Sequence, residues 1–161
     1  MIEGFENASK SEYSANKKLK DRLRKIKSKE LDQMFHREHE NSFREIDCLE
    51  CANCCKTTSP IFISTDIERI SKTLKMKTGE FIDTYLRLDE EGDYVLQKSP
   101  CSFLLDDNTC LIYEDRPKAC REYPHTNRKN ISGILGLTLR NTLVCPAVLR
   151  IFQVFSRDFR K

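Results

Sequence analysis

The run Cys48-Leu49-Glu50-Cys51-Ala52-Asn53-Cys54-Cys55 constrains this chain more than any other stretch, because it puts four thiols into one short loop. Four more cysteines stand at Cys101, Cys110, Cys120 and Cys145, making eight in 161 residues. Cysteines spaced this tightly point to a disulfide framework in an oxidising compartment or to metal in a reducing one. The stretch Met1–Ser14 carries Glu3, Glu6, Lys10 and Glu12 where a secretory signal needs an apolar core. The expectation is therefore a cytoplasmic chain with reduced thiols, held together by metal.

Thiolates are soft ligands that favour zinc and iron–sulfur centres over magnesium or calcium. Cys48, Cys51 and Cys54 form C-x2-C-x2-C, a spacing that lets three thiolates converge and that also opens the bacterial ferredoxin run. Cys145 precedes Pro146, as the last ferredoxin cysteine precedes proline, so it is a candidate remote fourth ligand of a four-iron cluster. Successive side chains of an extended segment point apart. On that ground Cys54 and Cys55 are expected to face different groups, Cys54 with Cys48, Cys51 and Cys145, and Cys55 with Cys101, Cys110 and Cys120. Two zinc ions with four thiolates each fit the count as well as an iron–sulfur cluster does.

Arg116 and Arg121 flank Cys120, where a guanidinium would offset the charge of a thiolate group, and His125 follows closely as a candidate sulfur partner or replaceable ligand. His36 and His39 stand one helical turn apart and read as a solvated pair. No catalytic set, phosphate loop or dinucleotide fingerprint accompanies the cysteines.

The predicted fold is small α+β, mostly helical and metal-stabilised, with a long N-terminal helix and a cysteine-rich core that carries a short hairpin. Residues 14–46 lack Gly and Pro, and Leu19, Leu23, Ile26, Leu31, Met34 and Phe35 mark an apolar stripe. One basic amphipathic helix over 1–46 is expected to dock on the cysteine domain of 47–161, with homodimer pairing through it as the alternative. A Thr65–Glu68 capping box opens a helix, Thr78 opens another, Cys101 and Cys110 flank a hairpin, and Pro117 starts a short helix that Pro124 stops. The apolar stretch Ile131–Leu149 is interrupted by Gly133, Gly136, Arg140, Asn141 and Pro146, which argues against a membrane span. A final helix buries Val148, Phe152 and Phe155.

The combination of C-x2-C-x2-C-C at 48–55, C-S-F-L at 101–104, C-L-I-Y-E-D-R-P at 110–117 and C-R-E-Y-P at 120–124 resembles the YkgJ-like cysteine-cluster family, a zinc- or iron-chelating domain. The resemblance implies metal binding through these cysteines, with Arg116, Pro117, Arg121 and Pro124 shaping part of the site. The family commonly has Gly where Ala52 stands here. The leading expectation is a metal-binding protein with an electron-transfer, metal-handling or structural role. One alternative is a metal-dependent enzyme with an open site near Cys120 and His125. The other is a module that engages nucleic acid or an acidic protein through the basic segment Lys17–Lys29, although a net charge of +3 does not favour nucleic acid.

Overall fold

The computed structural model describes residues 4–159. Met1, Ile2 and Glu3 of the polar N-terminal stretch, and Arg160 and Lys161, lie outside the described residues. In chain order the elements are α1 (Phe5–Leu23), α2 (Ser28–Glu45), α3 (Cys48–Cys51), α4 (Asn53–Thr57), α5 (Ser64–Thr73), α6 (Thr78–Tyr85), β1 (Leu86–Leu88), β2 (Tyr94–Leu96), α7 (Lys118–Glu122), α8 (Leu135–Asn141) and α9 (Pro146–Asp158). Single 3-10 turns cover Tyr113–Asp115 and Ile131–Ile134. The fold is small α+β and mostly helical, as the sequence predicts. The chain forms two compact units, Met1–Cys51 with Pro124–Lys161, and Ala52–Tyr123. Their boundary falls inside the cysteine run.

In the first unit the apolar stripe is where the sequence puts it, but on two helices instead of one. Like charges stand four residues apart at Lys18 and Arg22, Lys20 and Arg24, and Lys25 and Lys29, and such pairs weaken a helix. The chain turns over Arg24–Lys27, where Ile26 N–H bonds to Leu23 O at 3.1 Å. This lets both helices pack on α9. Leu19, Leu23, Leu31 and Phe35 are buried. Phe35 meets Phe155 edge-on at 5.0 Å and Phe152 at 6.4 Å. The stripe is thus covered within its own chain. Asp32 fastens the chain before α8 to α2 by accepting from Asn130 N–H at 2.8 Å and Ile131 N–H at 2.9 Å. Arg150 forms a bidentate ion pair with Glu45. No single helix among the described residues is long and apolar enough to cross a membrane, and the apolar pair Ile131–Asn141 and Pro146–Asp158 is bent by 112°.

The second unit is built on α5, α6 and the antiparallel pair β1–β2, in which Leu86 faces Leu96. Phe62 adds a bridge to Tyr94. Ile67, Ile70, Phe81, Leu86 and Phe103 belong to one buried cluster. The Phe81 and Phe103 rings stack at 6.2 Å and 7°. The start of α5 corrects the expected capping box. The helix begins at Ser64, and the acid that reaches back is Asp66, whose carboxylate accepts from Ile63 N–H at 3.4 Å. Thr65 and Glu68 lie inside the helix. The hairpin between Cys101 and Cys110 forms as expected, with a Leu104–Cys110 bridge and Leu105 N–H on Thr109 O at 2.9 Å. Pro117 precedes α7 as its cap residue and is not its first helical residue.

Candidate metal centre

The cysteine run folds as two short helical turns, α3 and α4, separated by Ala52 in the left-handed region at φ 45 and ψ 19. The sequence argument that Cys54 and Cys55 diverge is corrected here. It holds for extended backbone, whereas α4 is helical, where neighbours are turned by about 100°. The Cys54 and Cys55 sulfurs lie 3.9 Å apart. Two thiolates at about 2.3 Å from one tetrahedral ion stand about 3.8 Å from each other, so this pair fits a single zinc or iron atom.

The second unit carries Cys54, Cys55, Cys101, Cys110 and Cys120. Cys101 N–H donates to Cys55 O at 2.8 Å, and Ser99 Oγ donates to Lys56 O at 2.9 Å. These bonds pin the start of the 101–110 hairpin to α4. Phe103 N–H points at Cys101 Sγ from 3.5 Å. Cys101 and Cys110 pack against the buried cluster that contains Phe103. Cys120 lies on α7, its N–H on Pro117 O at 2.9 Å.

The electrostatics of the group follow from burial and mutual charge. The Cys55 thiol is pulled down to about 7, first by its hydrogen bond with Cys54, against burial and with help from Arg116 and Lys56. Burial raises Cys101 and Cys110. Cys120 is pushed up to about 12, by burial first and then by Cys55, Cys101 and Cys110, with Arg116 opposing. The charges of Cys55, Cys101 and Cys110 thus add to the cost of ionising Cys120. Among the described residues, no three His, Cys, Asp or Glu side chains are grouped so that they could hold a metal ion as they stand.

The first unit carries Cys48, Cys51 and Cys145. Cys48 is exposed, whereas Cys51 and Cys145 are buried. Asp47 starts α3 by accepting from Leu49 N–H at 2.8 Å. Cys145 sits just before Pro146 at the head of α9, and burial pushes its thiol up to about 12. The Val148 and Ala147 amides oppose that rise, and the charges of Cys48 and Cys51 add to it. Cys48 and Cys51 are two of the three cysteines expected to group with Cys145; the third, Cys54, belongs to the unit Ala52–Tyr123.

Arg116 opposes the rise of Cys110 and Cys120 and, together with Lys56, lowers Cys55. Its guanidinium lies 3.6 Å over the Tyr113 ring, and its Nε donates to Tyr113 O at 2.7 Å. Tyr113 is exposed and serves as a platform for this cation. Arg121 spends a donor on Arg116 O at 2.7 Å. His125 belongs to the first unit, half-buried at φ 64, while Cys120 belongs to the second. His36 is exposed, but His39 is not simply solvated. Its Nδ1 lies 2.7 Å from Thr126 Oγ1, its ring packs on Phe43 at 4.6 Å, and burial lowers its pKa.

Sequence reasoning missed Asp66 and Arg69. Asp66 is buried and bonds to Arg69 at 2.7 Å, and Arg69 reaches the carbonyls of Asp115 and Arg116 at 3.2 and 2.9 Å. The signal was present in S-T-D-I-E-R, where an acid and an arginine stand three apart on a helix.

A family model named CxxCxxCC, described as a putative zinc- or iron-chelating domain, matches residues 47–137, more than half of the chain. No solved structure matches it.

Proposed function

This chain belongs to the CxxCxxCC family, and from that premise we propose that it is a metal-binding protein whose main centre is a tetrahedral zinc or iron ion in the unit Ala52–Tyr123. The observation that carries this reading is the 3.9 Å separation of the Cys54 and Cys55 sulfurs. That spacing suits two thiolates on one metal atom. A four-iron cluster takes one thiolate per iron, so the pair favours a mononuclear centre over the four-iron cluster that Cys145–Pro146 brings to mind.

Cys54 and Cys55 supply two ligands, and Cys101, Cys110 and Cys120 offer the others. A bound ion would tie α4, the 101–110 hairpin and α7 together, which makes the metal's first role here structural. Arg116 offsets the negative charge of four thiolates and lowers the cost of deprotonating them. Cys48, Cys51 and Cys145 form a smaller group with three thiols, suited to a second ion completed by a non-cysteine ligand.

Anaerobic purification followed by metal and acid-labile sulfide analysis tests this. The expected result is zinc or iron without stoichiometric sulfide, lost from the Cys54→Ser, Cys55→Ser double variant. Fresh reduced protein free of bound metal would sink the reading. Stoichiometric sulfide would replace the mononuclear centre with a cluster.

A further inference from the structure

We propose that the groove between α2 and the loop 127–130 is a docking site for an acidic segment of a partner protein. The groove lies wholly within the unit Met1–Cys51 with Pro124–Lys161, and it does not depend on the metal-binding reading above. Its volume is about 940 Å³. Lys29 and Arg37 line it from α2, and Arg128 and Lys129 line it from the loop. Among the described residues, Lys29, Arg128 and Lys129 make no ion pair with a carboxylate. Arg37 gives Nε to Glu38 at 2.8 Å, one of its five donors. The loop is held to α2 at both ends. Asp32 accepts from Asn130 N–H at 2.8 Å and from Ile131 N–H at 2.9 Å. Thr126, fully buried, has its Oγ1 2.7 Å from His39 Nδ1. Asp32 and His39 stand about 10 Å apart along the helix, so the exposed residues 127–129 are strung between two fixed points. Asn130 makes the turn at φ 56, with its Oδ1 accepting from Ser132 Oγ at 2.9 Å.

Charge complementarity identifies the occupant. From Tyr123 to Arg157 the sequence holds no Asp or Glu, so nothing within the loop wall offsets Arg128 and Lys129. Two acids, Asp32 and Glu40, also line the groove. The Asp32 carboxylate is already met by two amides, so the acid that opposes an anion is Glu40. A nucleic-acid strand carries a phosphate about every 3.4 Å and would set one against Glu40 as well as against the cations. An acidic peptide can place carboxylates at the four cations and a neutral or basic residue at Glu40, which fixes its register. Single-strand binders also stack bases on aromatic side chains, and among the described residues no Phe, Tyr or Trp lines this groove. Gln33, Asn127 and Asn130 line it with amides, which suit a peptide backbone.

The test uses the full chain under reductant and fluorescence anisotropy. The probes are a labelled Glu-rich peptide, its Gln-substituted counterpart and a single-stranded oligonucleotide of matched length. The Glu peptide is expected to bind more tightly than either of the others, and to weaken as salt rises. Arg128→Glu with Lys129→Glu is expected to cost about tenfold in affinity. Lys77→Glu with Lys98→Glu makes the same change in net charge in the unit Ala52–Tyr123, and it is expected to cost less than about twofold. Asp32→Asn separates a held wall from a diffuse basic surface. It removes a negative charge, which by itself favours an acidic ligand, but it loosens the loop, and weaker binding is expected with circular dichroism unchanged. If Asp32→Asn does not fold, Lys29→Glu with Arg37→Glu on the facing wall takes its place, with a loss of about tenfold expected. Failure of the wild type to bind the Glu peptide, or binding of the oligonucleotide or the Gln peptide at least as tight, would overturn the proposal. So would equal losses in the 128/129 and 77/98 variants, unchanged or tighter binding in Asp32→Asn, or unchanged binding in the 29/37 variant.

Discussion

Ala52 holds a left-handed backbone at φ 45 between α3 and α4, and it is only 5% exposed. That conformation costs an L-residue about 1–2 kcal/mol. Glycine pays no such strain but loses about 0.5–1 kcal/mol more conformational entropy on folding. Ala52→Gly is therefore expected to stabilise the protein by about 1 kcal/mol, read as a higher midpoint in urea unfolding; an unchanged or lower midpoint would show that the position is unstrained. The cysteines set a second residue-scale expectation, for metal-free protein under reductant. Cys55 is pulled down to about 7, so between about pH 7 and the ordinary thiol value near 8.5 the folded state binds fewer protons than the unfolded one. Its contribution to stability grows with pH there and is lost as pH falls through 7. Cys120 is pushed up to about 12, so above the ordinary value the unfolded state binds fewer protons and stability declines as pH rises. Urea unfolding of the wild type and of Cys120→Ala across pH 7 to 11 should show the wild type losing more stability above about pH 9. Parallel profiles would contradict it.

The elements show how much of this molecule is readable in its sequence. Helix α9 is legible because Val148, Phe152 and Phe155 recur at helical spacing after a proline at the first position, and all three are fully buried. Helices α5 and α6 are legible for the same reason. The cysteine hairpin is legible because its turn residues stand between two short apolar runs. What failed was what depends on tertiary geometry. The break between α1 and α2 has neither Gly nor Pro to announce it, and only the repulsion among successive Lys and Arg side chains hints that the helix ends near Arg24. The capping box was misplaced because Thr65 and Glu68 satisfy the local pattern, while Asp66 also binds the amide of Lys118, 52 residues away. The divergence of Cys54 and Cys55 was inferred from extended backbone in a segment that proved helical. The cysteines are all visible as residues; Asp66 and Arg69 show only as an acid and an arginine three apart in S-T-D-I-E-R, because the backbone atoms they hold leave no mark in a sequence.

At the scale of the whole chain, the two units differ in the length of their elements. The unit Met1–Cys51 with Pro124–Lys161 buries α1 and α2 against α9, with Phe35, Phe152 and Phe155 at 0% exposure. The unit Ala52–Tyr123 has short elements, one two-stranded sheet and a helix of 5 residues, and it carries five of the cysteines. Units below about 70–80 residues seldom gain enough from a single core and commonly depend on metal or disulfides. Metal bound only to the folded form stabilises by RT ln(1 + [metal]/Kd), about 4 kcal/mol at a thousandfold excess over Kd. Removal of metal should therefore act unevenly. In amide hydrogen exchange of the full chain, a strong chelator is expected to raise exchange rates across α4, the 101–110 hairpin and α7, while α1, α2 and α9 keep their protection. Readdition of zinc to the reduced protein should restore the lost protection. Exchange that is indifferent to the chelator in 52–123, or that rises equally in both units, would show that metal does not hold this unit together.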